Sequence, residues 1–205
     1  MTEPTSSRVR QWSEKLRLAA GHTPIGERDA TGSASGRSPS MATIRAIEAL
    51  LGISMLASRT ATSSPQVDVW RAAADEGCPL PERFRQGQGW LVPELSAEGI
   101  EAWQEAELLC LHALAWCGLR DAVVLERVRN AARTCIAEVQ PDNVTGRPWA
   151  SHVFAWIAEV EGDVEAAMYA ETLVHNALVA RRGVEPVSAV LLLDSAAWLN
   201  AMCRT

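Results

Sequence analysis

Lysine is nearly absent from this chain, and Lys15 is the only one. Arginine carries the rest of the positive charge, so the region beyond the N-terminal segment has no lysine for a Schiff base or for a nucleotide phosphate. The net charge of -6 is spread among interspersed acids and arginines. Without a clustered basic stripe, nucleic acid is not an expected partner. No apolar run approaches the roughly 18 residues that a membrane span needs, and Met1 to Ser7 are polar. A cytoplasmic protein is the expectation. The five cysteines, at 78, 110, 117, 135 and 203, contain no C-x-x-C pair. They read as small core hydrophobes, with neither a disulfide framework nor a zinc site. H-x-x-x-H, E-x-x-H and H-E-x-x-H spacings are missing, as are a G-x-S-x-G elbow, a phosphate loop and a dinucleotide fingerprint. Neither a metal nor a cofactor is expected.

What the chain does have is a period. Tryptophan recurs at 70, 116, 156 and 198, at intervals of 46, 40 and 42, and the last three each close an Ala-Trp pair in an apolar run. The best copies are Leu111-His112-Ala113-Leu114-Ala115-Trp116 and Ser151-His152-Val153-Phe154-Ala155-Trp156. In the third, Leu193-Asp194-Ser195-Ala196-Ala197-Trp198, Asp194 takes the histidine position. A repeat of this size has room for two helices, and a single helical hairpin cannot bury its own apolar face, so the units must stack. The fold expected is all-α, with stacked helical hairpins repeating at about 40–46 residues, as a partial α/α toroid or a short α-solenoid.

Two parts are expected. Residues 1–40 form an N-terminal arm, with a basic amphipathic helix over 8–20 (Val9, Trp12, Leu16 and Ala19 on one side) and a Gly/Ser/Thr/Pro-rich flexible linker over 21–40. Residues 41–205 form the hairpin domain. Helices are expected over Met41 to Ser58, Pro65 to Asp75, Leu95 to Cys117 with Ser96 as N-cap, and Asp121 to Gln140. Three more are expected from Pro148 to Glu161, from Asp163 to Arg182 and from Glu185 to Cys203. Between the second and third, Gly77 to Pro93 is a long loop of the kind that borders sites.

Two segments resemble the hairpin repeat of the terpenoid cyclase and protein prenyltransferase families, in which a Q-x-D-G-x-W type turn precedes an apolar helix. They are Gln86-Gly87-Gln88-Gly89-Trp90 and the stretch from Gln140 through Pro141, Asp142, Asn143 and Gly146 to Trp149. The resemblance covers Arg85 to Trp156 and implies hairpins closing into an α/α toroid around a cavity. The chain lacks D-x-D-D, D-D-x-x-D and D-x-C motifs, so none of those families' catalytic residues carries over. Tetratricopeptide units share the turn Gly162-Asp163-Val164-Glu165-Ala166-Ala167, but they repeat at about 34 residues, a shorter period than this one.

Polar groups on apolar faces mark the candidate site. Glu171 and His175 fall with Val164, Ala167, Met168, Val174 and Leu178 on the stripe expected to pack inward, four residues apart. His152 lies ten residues before the Gly162 turn and His175 thirteen after it, so an antiparallel hairpin brings them within about one turn of each other. Asp194, the only charge between Pro186 and Cys203, must be hydrogen-bonded, paired or protonated where it is buried. His152, Glu171, His175 and Asp194 are therefore the catalytic candidates, with Arg147, His112 and Trp149 as ligand-binding candidates. Carboxylate and imidazole together suit acid/base work or a mixed N/O metal site. Satisfied structural partners are the plainer explanation. The reading adopted is a non-catalytic scaffold that binds a protein partner or a small-molecule ligand. The alternative is a small α/α-toroid-like enzyme or small-molecule binder with a His/Glu/Asp pocket.

Overall fold

The computed structural model describes residues 3–21, 37–52, 64–141, 145–179 and 185–204. Most of the expected linker, the stretch from Ile53 to Ser58, the Asp142-Asn143 break and the helix end at Arg181 and Arg182 lie outside these residues. Among the described residues the architecture is entirely helical. The helices are α1 (Glu3–Ala20), α2 (Met41–Leu51), α3 (Pro65–Ala74), the single turn α4 (Glu82–Arg85), a 3-10 turn (Pro93–Glu98), α5 (Ile100–Gly118), α6 (Ala122–Glu138), α7 (Ser151–Glu161), α8 (Val164–Val179) and α9 (Pro186–Met202). Among the described residues no helix is long and apolar enough to cross a membrane.

Local chemistry sets the helix ends. Ser40 and Ser64 cap α2 and α3 by accepting from the N–H groups of Thr43 and Val67, and Pro65 fits the first turn, where no N–H is required. Asp163 accepts from the N–H groups of Glu165 and Ala166, opening α8 immediately after Gly162 turns left-handed at φ 71°. Ser38, Pro39 and Ser40, at the end of the expected linker, are buried.

Two starts differ from expectation. The helix placed from Leu95 with Ser96 as cap begins at Ile100, because Pro93 leads a 3-10 turn and Gly99 then swings to φ 99°, which breaks helical register. The helix placed from Pro148 begins at Ser151, because Ala150 adopts φ 52°, a left-handed conformation unusual for a residue with a Cβ.

Helix α5 runs through the middle of the molecule. From Ala106 to Gly118 every residue is buried, and the helix touches the 3-10 turn, α3, α6 and α7. The short corners at Leu119 to Asp121 and at Gly162 and Asp163 fold α5 onto α6 and α7 onto α8. Helix α9 is likewise buried on nearly every side, and α1 lays Val9, Trp12, Leu16 and Ala20 along α9 and α7. The Ser13 hydroxyl donates to the Ala196 carbonyl (3.0 Å), and the Trp12 indole donates to Glu159 (3.0 Å). Trp70, Trp116, Trp149 and Trp198 are all fully enclosed. Rings of this size dominate a core's apolar burial, and here they surround one polar cluster.

Most of the stripe on α8 expected to face inward faces outward, although Val174 is buried and Ala167 packs partly against the core. The buried side is Ala166, Tyr169, Ala170, Leu173, Val174 and Ala177, while Val164, Met168, Glu171, His175, Leu178 and Val179 are exposed. Ala166, Ala170 and Ala177 let α8 approach α7 closely, and Tyr169 stacks on Phe154 of α7.

Candidate functional site

Asp194 sits at the centre of the cluster. One turn before Trp198 on α9, its carboxylate meets donors from two other helices. Thr43 Oγ1 of α2 donates to Oδ1 (2.8 Å), and His112 Nε2 and Trp116 Nε1 of α5 reach Oδ2 at 3.0 Å and 2.7 Å. His112 and Trp116 are four residues apart, so one helical face presents both. The Ala150 N–H donates to His112 Nδ1 (3.1 Å). That nitrogen therefore holds a lone pair, and the ring's proton is on Nε2, pointing at Asp194. The left-handed turn at Ala150 is what aims its N–H at the imidazole. Thr43 commits its own hydroxyl proton to Asp194, so the Ser40 hydroxyl, 2.9 Å away, donates to Thr43. The result is a polarised chain from Ser40 through Thr43 to the carboxylate.

His152 of α7 adjoins this arrangement. Its ring is 4.5 Å from that of His112 and 4.9 Å from that of Trp198, and Nδ1 lies 3.0 Å from Ser195 Oγ. Burial first, and the neighbouring His112 second, hold the His152 imidazole well below its ordinary range, so it stays neutral. Its Nε2 has no hydrogen-bond partner among the described residues. His112, His152, Asp194 and Ser195 are each at most 1% exposed. The Ser195–His152 pair resembles the start of a nucleophile–base dyad. Chemistry there would require a substrate to part four helices first.

The other candidates are placed differently. Trp149 closes the hub from above, its ring edge-on to His112 at 5.9 Å and its indole bonded to Glu105 (3.1 Å). Arg147 lies further out, bonded to Glu105 (2.6 Å) and Glu185 (3.1 Å). Glu171 and His175 do not join the hub. Glu171 pairs with Lys15 on the surface (2.7 Å), and His175 is exposed. Three residues of the hub had no sequence signal that pointed there: Thr43, Ala150 and Ser195.

A second polar centre lies between α5, α6 and the loop before the 3-10 turn. Glu107 accepts from the N–H groups of Leu91 (2.6 Å) and Val92 (2.8 Å). Arg127 of α6 donates to the carbonyls of Gly89 (2.7 Å) and Trp90 (2.8 Å). Trp103 adds a bond to the Val92 carbonyl at 3.0 Å. An acid and a base thus clamp the backbone of residues 89–92. Gly87 and Gly89, at φ 106° and 76°, supply the turn that delivers those groups. Burial raises the Glu107 carboxyl to about 7, against the opposite pull of the two N–H bonds and of Arg127. Beside it runs a narrow crevice lined by Trp90, Gln104, Cys135 and Tyr169. The buried thiols of Cys110 and Cys135 are pushed well above their ordinary range, and that of Cys117 to about 11, so none is a ready nucleophile. Among the described residues no group of three His, Cys, Asp or Glu side chains is arranged to hold a metal ion.

No family model, curated protein or solved structure matches the chain.

Proposed function

We propose that this chain is a non-catalytic scaffold of stacked helical hairpins that binds a partner through its outer faces. The observation that carries the reading is the state of Asp194. Three donors saturate a carboxylate within a sealed tryptophan cage, and the two imidazoles beside it have no path to solvent. A group arranged this way orients helices and has no route to a substrate. The enzyme alternative needs His152, Glu171, His175 and Asp194 around one open cavity, and two of those four side chains face solvent on α8.

Histidine labelling with diethyl pyrocarbonate on the full folded chain, read by mass spectrometry, tests this. His175 is expected to react quickly, while His112 and His152 react only in denaturant. Labelling of His112 or His152 at the His175 rate would overturn the scaffold reading, because an imidazole open to that reagent is open to a small substrate.

A further inference from the structure

The outward face of α8 has a pattern of its own. Val164, Met168, Glu171, His175 and Leu178 are spaced by four, three, four and three residues, the spacing of a seam at which two helices meet. Val164 is 70% exposed, Met168 64% and Leu178 39%. Helix α8 is an edge helix, packed on α7 and only grazing α1 and α6. Leu18, one turn beyond Lys15 on α1, is 73% exposed and adds an apolar residue on the helix that Lys15 joins to this face.

We propose that this face pairs with the same face of a second copy of the chain, antiparallel, about a two-fold axis at the level of Leu173. In that register Met168 of one copy meets Leu178 of the other, and Glu171 meets His175, each match occurring twice by symmetry. A parallel pairing would set Glu171 against Glu171. An antiparallel pairing one helical turn shorter, with Val164 opposite Leu178, would do the same. The register centred on Leu173 matches Met168 with Leu178 and donor with acceptor together, and leaves Val164 beyond the matched pairs. The carboxylate is prepared for the contact, because Lys15 Nζ bonds Glu171 Oε1 (2.7 Å) and leaves Oε2 for the imidazole N–H of the second copy. His175 is exposed on the same face, so its ring is open to that carboxylate.

A seam on one 16-residue helix is small for a specific interface. A reversible dimer with a dissociation constant on the order of tens of micromolar is expected. This extends the scaffold reading, on which it rests, by naming a partner. Histidine labelling reports the buried hub and sedimentation reports α8, so the two can fail separately.

The test is sedimentation equilibrium of the full chain across the micromolar range. The wild type should show a monomer–dimer equilibrium. Met168→Glu and Leu178→Lys, both at exposed positions, should each weaken it at least about tenfold with unchanged melting temperature. The double variant, in which the carboxylate introduced at position 168 of each copy faces the ammonium introduced at position 178 of the other, should restore dimers. These two positions are ten residues apart and cannot pair within one helix, so rescue reports the antiparallel register. A wild type that stays monomeric throughout, single variants that dimerise normally, or a double variant that fails to recover would each overturn the proposal.

Discussion

The Asp194 hub and the Glu107 clamp are both buried carboxylates held by hydrogen bonds, yet they do opposite things to the fold. Asp194 takes its donors from side chains on α2 and α5, so it ties helices to one another. Glu107 takes its donors from backbone N–H groups and, with Arg127, ties a loop to a helix pair. The first sits among aromatic rings with a neutral imidazole beside it, and the second has a guanidinium on the same strip of backbone. A buried carboxyl is accommodated in either setting because both of its oxygens accept hydrogen bonds. They differ in what is lost on removal. The hub's loss leaves donors stranded in the core, whereas the clamp's loss frees a loop that water can then solvate.

The largest effect should come from Asp194→Ala. It strands the His112, Trp116 and Thr43 donors, and chemical denaturation should show a loss of about 4 kcal/mol. Asp194→Asn, which keeps one acceptor, should cost less. A loss for Asp194→Ala no greater than that for Glu107→Ala would erase the distinction between hub and clamp.

The clamp should reveal itself through pH. An ordinary glutamate titrates at 4.5 and Glu107 at about 7 in the fold. Between those values the folded state holds a proton that the unfolded state has released. Stability therefore falls as pH rises through that window, by about 3 kcal/mol in all if the other groups are unchanged. Denaturation midpoints measured from pH 4 to 8 should show this slope in the wild type and a flattened one in Glu107→Gln.

His152 works in the other direction. Its folded-state affinity for protons is depressed below the ordinary 6.5, so the unfolded chain binds the proton first and stability is lost as pH falls below that value. His152→Phe keeps the ring packing against Trp198 and should soften the acid limb. An acid limb identical to that of the wild type would mean that other groups carry it.

The smallest effect belongs to neither centre. A Cβ at Gly118 would lie 3.1 Å from the Leu125 Cα and 3.3 Å from its backbone nitrogen. Gly118→Ala should thus cost about 1 kcal/mol net, because backbone crowding at the α5–α6 corner outweighs alanine's helix preference. The melting temperature should drop slightly, with the pH slopes of both centres intact.

The amino-acid pattern made much of the helical frame legible. The apolar stretches that became α5 and α9 are buried on nearly every side, and Asp163, Gly162 and Pro65 mark helix ends by local chemistry alone. Asp194 stood out because a lone charge in an apolar helix must find partners. Which partners it finds was not legible, since Thr43 and Ala150 come from distant segments and Ala150 contributes only its backbone. Helix α8 misled for a physical reason. Apolar residues lie on both sides of it, with Val164, Met168 and Leu178 outside and Ala166, Leu173 and Val174 inside, so periodicity did not distinguish the two faces. The clamp was hidden because Glu107 and Arg127 recognise backbone, which carries no residue-type signature.

The docking of α1 on α9 also sets an order of events. The Ser13 hydroxyl and the Ala196 carbonyl that it bonds are 183 positions apart. On the ribosome, Val9, Trp12 and Leu16 are made well before α9 and must wait for it before they can be covered. Contacts of such long sequence separation form late and slow folding. Until α9 has been made, the nascent chain therefore carries an uncovered, basic, amphipathic helix, and that helix is where a chaperone would be expected to hold it.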